Sequence, residues 1–543
     1  MNTPSRFVLL LAFLALPVTL SADLGMLDIR IDANHAHADA LAATLPISVT
    51  VTNTTGSSAN AVVVSFDQRS RVREAAGSGW ICSTTANGDT SCTLNRVLEA
   101  DGSATFDANV FFLAAPGRMS VQPGLVWTDG AGQRRFGSNN VSLALYRPFI
   151  VTKNDDAGAG TLRDAIEKLN ADAVCVASPC GVQFQIPASS SRWQTINVHS
   201  PLPAITAADV TIDGESQTAF AGDTNPDGPE LELRGTDVQA EGLEFRSGSF
   251  AEATGVTIGG FGRNGILVSA TAPDTVQFRF VRNYLGTDAS GSNAVPNALR
   301  GLMITGGYVA GEIRDNVLSG NARSGLFVAS QQSPFGTLVP SMFVSGNRVG
   351  VQAHSDAALP NGASGMYFGP TVDGAVVEHN LIAFNREFGV AIARGARIVR
   401  IRQNEIAHNG LLGIDIGLDG PTTEGRSLDA PAAPAITEAT YDPATNMTTI
   451  TAISADGAIP SDVTNDVDFY VSSSREHGDY AEGEHYLGTA AHARGSRDVA
   501  LTIAGDLRDR FISAVTLQTF NLDGSLLYTT SEFSRAVAVG TSN

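Results

Sequence analysis

Between Asn283 and Gly413 the hydrophobic and polar positions repeat in a short phrase. An Asn is followed two residues later by Leu, Val or Ile, then by Asn-x-x-x-Gly, then by two apolar residues spaced by one. Regular copies run from Asn316 through Asn321 and Gly325 to Leu326 and Val328, from Asn380 to Ile392, and from Asn404 to Ile416. In these copies the first Asn precedes the Gly by nine residues, and Gly365, Gly389 and Gly413 are spaced by 24. So short a period of strand-like triplets predicts stacked parallel strands, because one unit cannot bury its apolar face alone. Leu326 and Val328 are expected to face the same side, and the Gly to supply a backbone conformation that a side chain forbids. At a strand spacing of about 4.8 Å, Asn283, Asn316, Asn347, Asn380 and Asn404 are expected to pass amide hydrogen bonds along a structural ladder.

Two copies are longer. Asn283 to Gly301 and Asn347 to Gly365 each span 18 residues against nine in the regular copies, so nine additional residues emerge at one corner of each. The regular rung between them predicts a groove with walls about 10 Å apart, two strand spacings. Asp288, Asn293, His354 and Asp356 are expected to line the walls, Asn321 and Arg323 the floor, with Arg386 beyond the second wall. Insertions in solenoids often mark the binding face, and this residue set suits sugar hydroxyls or a cation. The competing reading is a pair of loops with no ligand.

Outside the repeat the pattern changes twice. Residues 23–147 alternate in short runs such as Leu27–Ile31, Ile47–Val51 and Ala61–Phe66, separated by Asn, Gly and Ser turns, which predicts a β-sandwich. From Thr161 the order Thr-Leu-Arg-Asp is a capping box, and Leu162, Ala165, Ile166 and Leu169 share a helical face. A short helix at 161–170 would cover the open end of the stack. Alternation resumes after the linker Ala430–Pro434, in Thr448–Ile453 and Asp466–Val471, and predicts a second β-sandwich over 433–543. At the N-terminus Arg6 precedes an apolar run from Phe7 to Leu20, with small residues at Ser21 and Ala22. That run is too short for a spanning helix and reads as a secretory signal peptide, 1–22.

Resemblances sharpen the architecture. The string from Asp155 through Gly160-Thr161-Leu162-Arg163-Asp164-Ala165-Ile166, then Phe184-x-Ile186-Pro187, Pro201-Leu202-Pro203 and Val210-Thr211-Ile212-Asp213-Gly214 resembles the opening of bacterial right-handed parallel β-helix proteins of the pectate-lyase-like superfold. It implies an all-β chain with a right-handed parallel β-helix at 148–432, a capping helix and two flanking sandwiches. The segment Gly79-Trp80-Ile81-Cys82 with Ser91-Cys92-Thr93-Leu94 resembles small immunoglobulin-like domains of bacterial secreted and surface proteins. The segment after 433 resembles the sandwich that often trails such β-helices.

Composition narrows the function. With 35 basic and 55 acidic side chains the chain carries a net charge of −20, which repels nucleic acid and anionic membranes. It also disfavours polyanionic glycans unless divalent cations bridge the two. Beyond the signal no stretch is long and apolar enough for a membrane span. The cysteines form two close pairs, Cys82 with Cys92 and Cys175 with Cys180; three pairings are open, and the local one is favoured because each closes a short loop. Reactive thiols or a metal cluster are the alternative.

Few motifs carry chemistry. Gly260-Phe261-Gly262-Arg263-Asn264-Gly265 matches a dinucleotide fingerprint, but a strand follows where a helix is required. Asp223, Asn225 and Asp227 have calcium-loop spacing, yet Arg234 stands where an EF-hand needs Glu. Asp415 and Asp419, with Glu424 and Asp429, follow the last rung and are a second candidate cation cluster. Plain Asx turns and solvated acidic loops are the favoured reading of both clusters, and no cofactor is expected unless one of them holds calcium. The strings of galacturonan hydrolases are missing apart from Asp155-Asp156 before the helix, and lyase and epimerase signatures are not evident. The expected function is binding of a glycan or another extracellular or surface ligand. A polysaccharide lyase or glycoside hydrolase and a purely structural surface protein are the competing readings.

Overall fold

The computed structural model describes residues 27–34, 43–53, 58–100, 102–130, 132, 134–138, 141–188, 191–246, 249–330, 342–421, 430–454, 463–490, 497–522 and 525–541. The signal sequence, Glu424 and Asp429 lie outside them. The chain is all-β, and large parallel sheets dominate it.

Three stacks of parallel strands run through the middle of the chain. One holds Leu243–Arg246, the first half of Ile266–Val281, the first half of Leu302–Arg314, then Leu326–Ser330, Met366–Phe368, Val390–Ile392 and Ile414–Ile416. A second holds Phe250–Thr254, the far halves of the same two long strands, then Met342–Ser345, Asp373–Glu378 and Arg397–Arg402. The two long strands bend from one stack into the other, with a register shift between Ala270 and Thr275, so the two stacks form a single sheet. The third is a separate eight-stranded sheet from Gln194–Val198 to Glu405–Ala407.

Equivalent residues sit above one another. Ile266, Leu302, Leu326, Met366, Val390 and Ile414 are in register and all buried, as are Val268, Ile304, Val328, Phe368, Ile392 and Ile416. Leu326 and Val328 therefore share the inner face, as alternation requires. The intervening positions, Leu267, Met303, Phe327, Tyr367, Ala391 and Asp415, form the outward row.

The asparagines form two ladders. In the first, Asn283, Asn316, Asn347 and Asn380 each donate both the backbone N–H and Nδ2 to Oδ1 of the next member, ending on Asn404. The second runs Asn297, Asn321, Asn361, Asn385, Asn409 and ends on the Glu482 carboxylate. A left-handed residue precedes every Asn of the first ladder, Arg282, Asp315, Gly346, His379 and Gln403, and three of the second, at Gly320, Phe384 and His408, whereas Asn297 and Asn361 follow prolines.

The repeat glycines work differently from the expectation. Gly325, Gly365 and Gly389 are not left-handed; a Cβ on Gly325 would lie 3.0 Å from the Gly365 carbonyl oxygen, and one on Gly389 would lie 2.6 Å from that of Gly413. Close stacking of backbone on backbone, not backbone angle, requires Gly there.

Different residues pack at the first and the last parallel strands. Helix Leu162–Ala171 buries Leu162, Ala165, Ile166 and Leu169, and the Thr161 hydroxyl accepts from Asp164 N while Asp164 Oδ2 accepts from Gly160 N. It packs on strands Arg147–Val151 and Cys180–Phe184, next to the Cys175–Cys180 disulfide. At the other end, Thr530 Oγ1, Tyr470 OH, Gly483 O and Glu532 Oε1 accept from the N–H groups of Ile401, Gln403, Ile406 and Ile416. Unpaired edge groups of the final strands are thereby satisfied.

Before the stacks lie two antiparallel sheets and a two-stranded antiparallel sheet with their own core, where Trp80 meets Phe106 edge-on at 5.0 Å and Cys82 is bonded to Cys92 across paired strands. After them lie two further sheets around Ile450, Phe469 and Ile512.

Candidate ligand-binding surfaces

The two corner insertions do not enclose a groove. Ala353 N donates to Gly291 O at 3.0 Å and Gln352 Nε2 to Ser292 O at 3.0 Å, so the second loop folds down onto the first. Val317, on the intervening rung, is buried beneath them with Tyr284 and Ala353. Nine residues are long enough to reach across two strand spacings, and the loops satisfy each other's backbone instead of leaving walls.

The expected groove residues consequently separate. The Asp288 carboxylate accepts from Ser290 Oγ at 2.7 Å and from Asn293 Nδ2 at 2.8 Å, closing its own loop. Against partial burial, these hydrogen bonds hold Asp288 below the usual carboxylate range. Asp356 pairs with Arg348 at 2.8 Å. Asn321 is a buried rung of the second ladder, so the floor assignment gives way to a structural one. Arg323 and Arg386 are exposed.

His354 does reach another site. Its Nε2 donates to the Asp227 carbonyl at 2.5 Å, beside Tyr284 OH, which donates to the same oxygen at 2.9 Å. This joins the second insertion to the segment holding Asp223, Asn225 and Asp227. Those three residues do not act as one ligand set: Asn225 Nδ2 donates to Pro229 O and Ala289 O, and the Asp227 carboxylate is taken by Arg192. Together the segments wall a cleft of about 330 Å³, with Glu215, Glu230, Arg282, Tyr284 and Asp315 among its lining. Burial and the carboxylates of Asp213 and Asp32 push Glu215 up to about 8, against its direct contact with Arg282. Burial likewise raises Glu230 and Asp315.

The cleft is tied to the N-terminal sheets. Asp32 bridges Arg30 and Arg282 at 2.7 Å each, and Arg30 reaches Asp315 at 3.0 Å. A second set of ion pairs, Arg118 to Asp209 and Arg279 to Glu252 and Glu312, lies nearby.

The outward row carries the other surface. Phe327 and Tyr367 stack with centroids 4.6 Å apart and planes 6° apart, both partly exposed to solvent. The Arg300 guanidinium lies 3.9 Å from the Phe327 centroid. Burial and the neighbouring charge of Arg323 lower the Arg300 pKa, so two guanidinium groups share this part of an acidic protein. Ser364 and Glu387, bonded at 3.2 Å, come from the same corner. Phe327 and Tyr367 hold the same outward position in successive triplets, but they lie 40 residues apart against 24 for a regular rung, and the second insertion accounts for nine of the additional residues.

Asp415 and Asp419 come together with Glu532 from the C-terminal segment. Glu476, His477 and Glu482 form a second cluster, in which Glu482 also terminates the second Asn ladder. Among the described residues no helix is long and apolar enough to cross a membrane.

No family model and no curated protein matches the chain. Among solved structures, the Bacteroides uniformis beta-glucuronidase 2 covalently bound to cyclophellitol-6-carboxylate aziridine aligns with 95% of this chain at 8% identity and a TM-score of 0.16. The chain spans 61% of that enzyme's length, and a likeness at this score carries no argument.

Proposed function

We propose that this is an exported right-handed parallel β-helix protein that binds glycan on its outward row. In this reading the β-helix occupies 148–432, helix Leu162–Ala171 closes its first end, and β-sandwich modules at 23–147 and 433–543 flank it. The carrying observation is the solvent-facing Phe327–Tyr367 stack beside Arg300 and Arg323. Flat apolar rings suit the C–H face of a sugar, and adjacent guanidinium groups suit its hydroxyls or a carboxylate. The local positive charge favours an acidic sugar despite the net charge of −20.

The test is retention on a panel of neutral and acidic polysaccharides, with the Phe327→Ala and Tyr367→Ala variants alongside. Binding that is lost in both variants supports the reading, and binding unchanged in both refutes it. A second reading, glycan cleavage in the cleft, rests on the raised carboxyls of Glu215 and Glu230. It requires new reducing or unsaturated ends that disappear in Glu215→Gln or Glu230→Gln.

A further inference from the structure

Asp415 occupies the outward position of the last strand in its stack, directly above Ala391. Among the described residues no later strand pairs with Ile414–Ile416 in that sheet, and the chain turns away through Gly417, Leu418 and Gly420, all left-handed. This turn wraps one oxygen of Asp415: Oδ2 accepts from Gly420 N at 3.2 Å. The other, Oδ1, is fully buried and has no hydrogen-bond partner, and the whole residue is 0% exposed. A buried carboxylate oxygen without a partner is costly and calls for a counter-charge.

The surroundings supply ligands of one kind. Asp419, from the turn, and Glu532, 4% exposed and arriving from the C-terminal segment, each bring a carboxylate oxygen, and the three oxygens lie within 4.8 Å of one another. Oxygens bound to one Ca²⁺, each at about 2.3–2.6 Å from the ion, lie at most about 5 Å apart, so the three can share one ion. Glu532 Oε1 also accepts from Ile416 N at 2.9 Å, which fixes the glutamate against the last strand. Arg394, largely exposed, reaches Asp419 at 3.8 Å.

We propose that Asp415, Asp419 and Glu532 bind a calcium ion that clasps the final strand of the parallel stack to the C-terminal segment. An all-oxygen, three-carboxylate set favours calcium over zinc, which prefers nitrogen and sulfur donors, and over magnesium, which demands a regular octahedron and keeps its waters. Burial, the largest cause, raises the Asp415 pKa against the backbone hydrogen bonds of its own turn. The clasp is separate from the glycan reading, since it needs neither Phe327 nor Tyr367.

The experiment uses the full chain stripped of metal with EGTA and then titrated with Ca²⁺ or Mg²⁺. Thermal unfolding and equilibrium dialysis are the readouts, for the parent, Asp415→Asn and Glu532→Gln. Both substitutions keep shape and the acceptor of the backbone bonds, so both variants are expected to fold. Metal-free Asp415→Asn should melt at or above the metal-free parent, because a neutral amide replaces the buried carboxyl. Calcium should raise the parent's melting temperature, and the affinity should fall at least tenfold in each variant, with one Ca²⁺ fewer bound per chain. Identical melting of metal-free and calcium-saturated parent would overturn the site, as would an undiminished calcium response in Asp415→Asn. An equal response to Mg²⁺ would overturn the assignment to calcium.

Discussion

Asn347→Ala tests the ladder at its centre. Asn347 is fully buried; its Nδ2 donates to Ile313 O at 2.8 Å, Ser345 O at 3.0 Å and Asn380 Oδ1 at 2.9 Å. Its Oδ1 accepts from Asn316 N at 3.0 Å and Asn316 Nδ2 at 2.9 Å. The substitution removes all five bonds and leaves the Asn316 N–H buried without its acceptor. At about 0.5–1.5 kcal/mol net per bond the loss lies between roughly 2.5 and 7.5 kcal/mol, and about 4 kcal/mol is expected. In a stack of this length that corresponds to a fall of about 5–10 °C in melting temperature, read by scanning calorimetry. Asn293→Ala is the matched control, because that exposed Asn bonds its own loop through Asp288 and should shift melting by less than about 1 °C. Asn347→Asp keeps one acceptor oxygen but sets a second against the carbonyls of Ile313 and Ser345. Burial raises such a carboxyl above its unfolded value, so its penalty grows as pH rises and shrinks as pH falls. If Asn347→Ala melts with the parent, or if Asn293→Ala is equally damaging, the ladder does not hold the stack together.

Three further outcomes follow from the packing. Arg279→Met, which removes the buried guanidinium shared by Glu252 and Glu312 and leaves them with Arg118 and Arg314, should destabilise by about 3 kcal/mol and expose the junction with the N-terminal sheets to limited proteolysis. Gly350→Ala should cost about 2–4 kcal/mol in urea unfolding, because a Cβ there would lie 2.0 Å from Ala383 O and the residue is left-handed at φ +86°. Burial raises the carboxyls of Asp315, Asp468 and Glu482, so the folded chain binds more protons than the unfolded one above their ordinary values; in EGTA, melting temperature should therefore fall as pH rises from about 5 to 8. The opposite loss, below about pH 4, comes from Asp164, whose carboxyl is held low by Lys168 and Gly160 N.

What the chain states locally was legible. A period of 24 with apolar residues two apart is a property of consecutive residues, and the parallel stacks and the ladder from Asn283 to Asn404 follow from it. The capping box before Leu162 is equally local, and its helix forms within one residue of the expected limits. The second ladder was written in the same code but displaced. Asn321 follows Asn316 by five residues, whereas Asn297 and Asn361 follow Asn283 and Asn347 by 14, which is five plus the nine inserted. Because the insertion hides that spacing, Asn321 looked like a groove floor.

Other features depend on segments remote in sequence, and only the tertiary structure decided them. The two insertions are 60 residues apart at the Gln352–Ser292 contact, and backbone groups that found partners in each other closed the space between them. His354 reaches Asp227 across 127 residues, and Glu532 reaches Ile416 across 116. The repeat glycines make the same point at short range. The sequence marked Gly325 and Gly389 as indispensable, but whether the reason was a backbone angle or the next rung's carbonyl depended on how closely two stacked turns approach. Periodicity encodes what each residue does to its own strand; which loops meet, and which carboxylates converge, is set by the packing of whole rungs against one another.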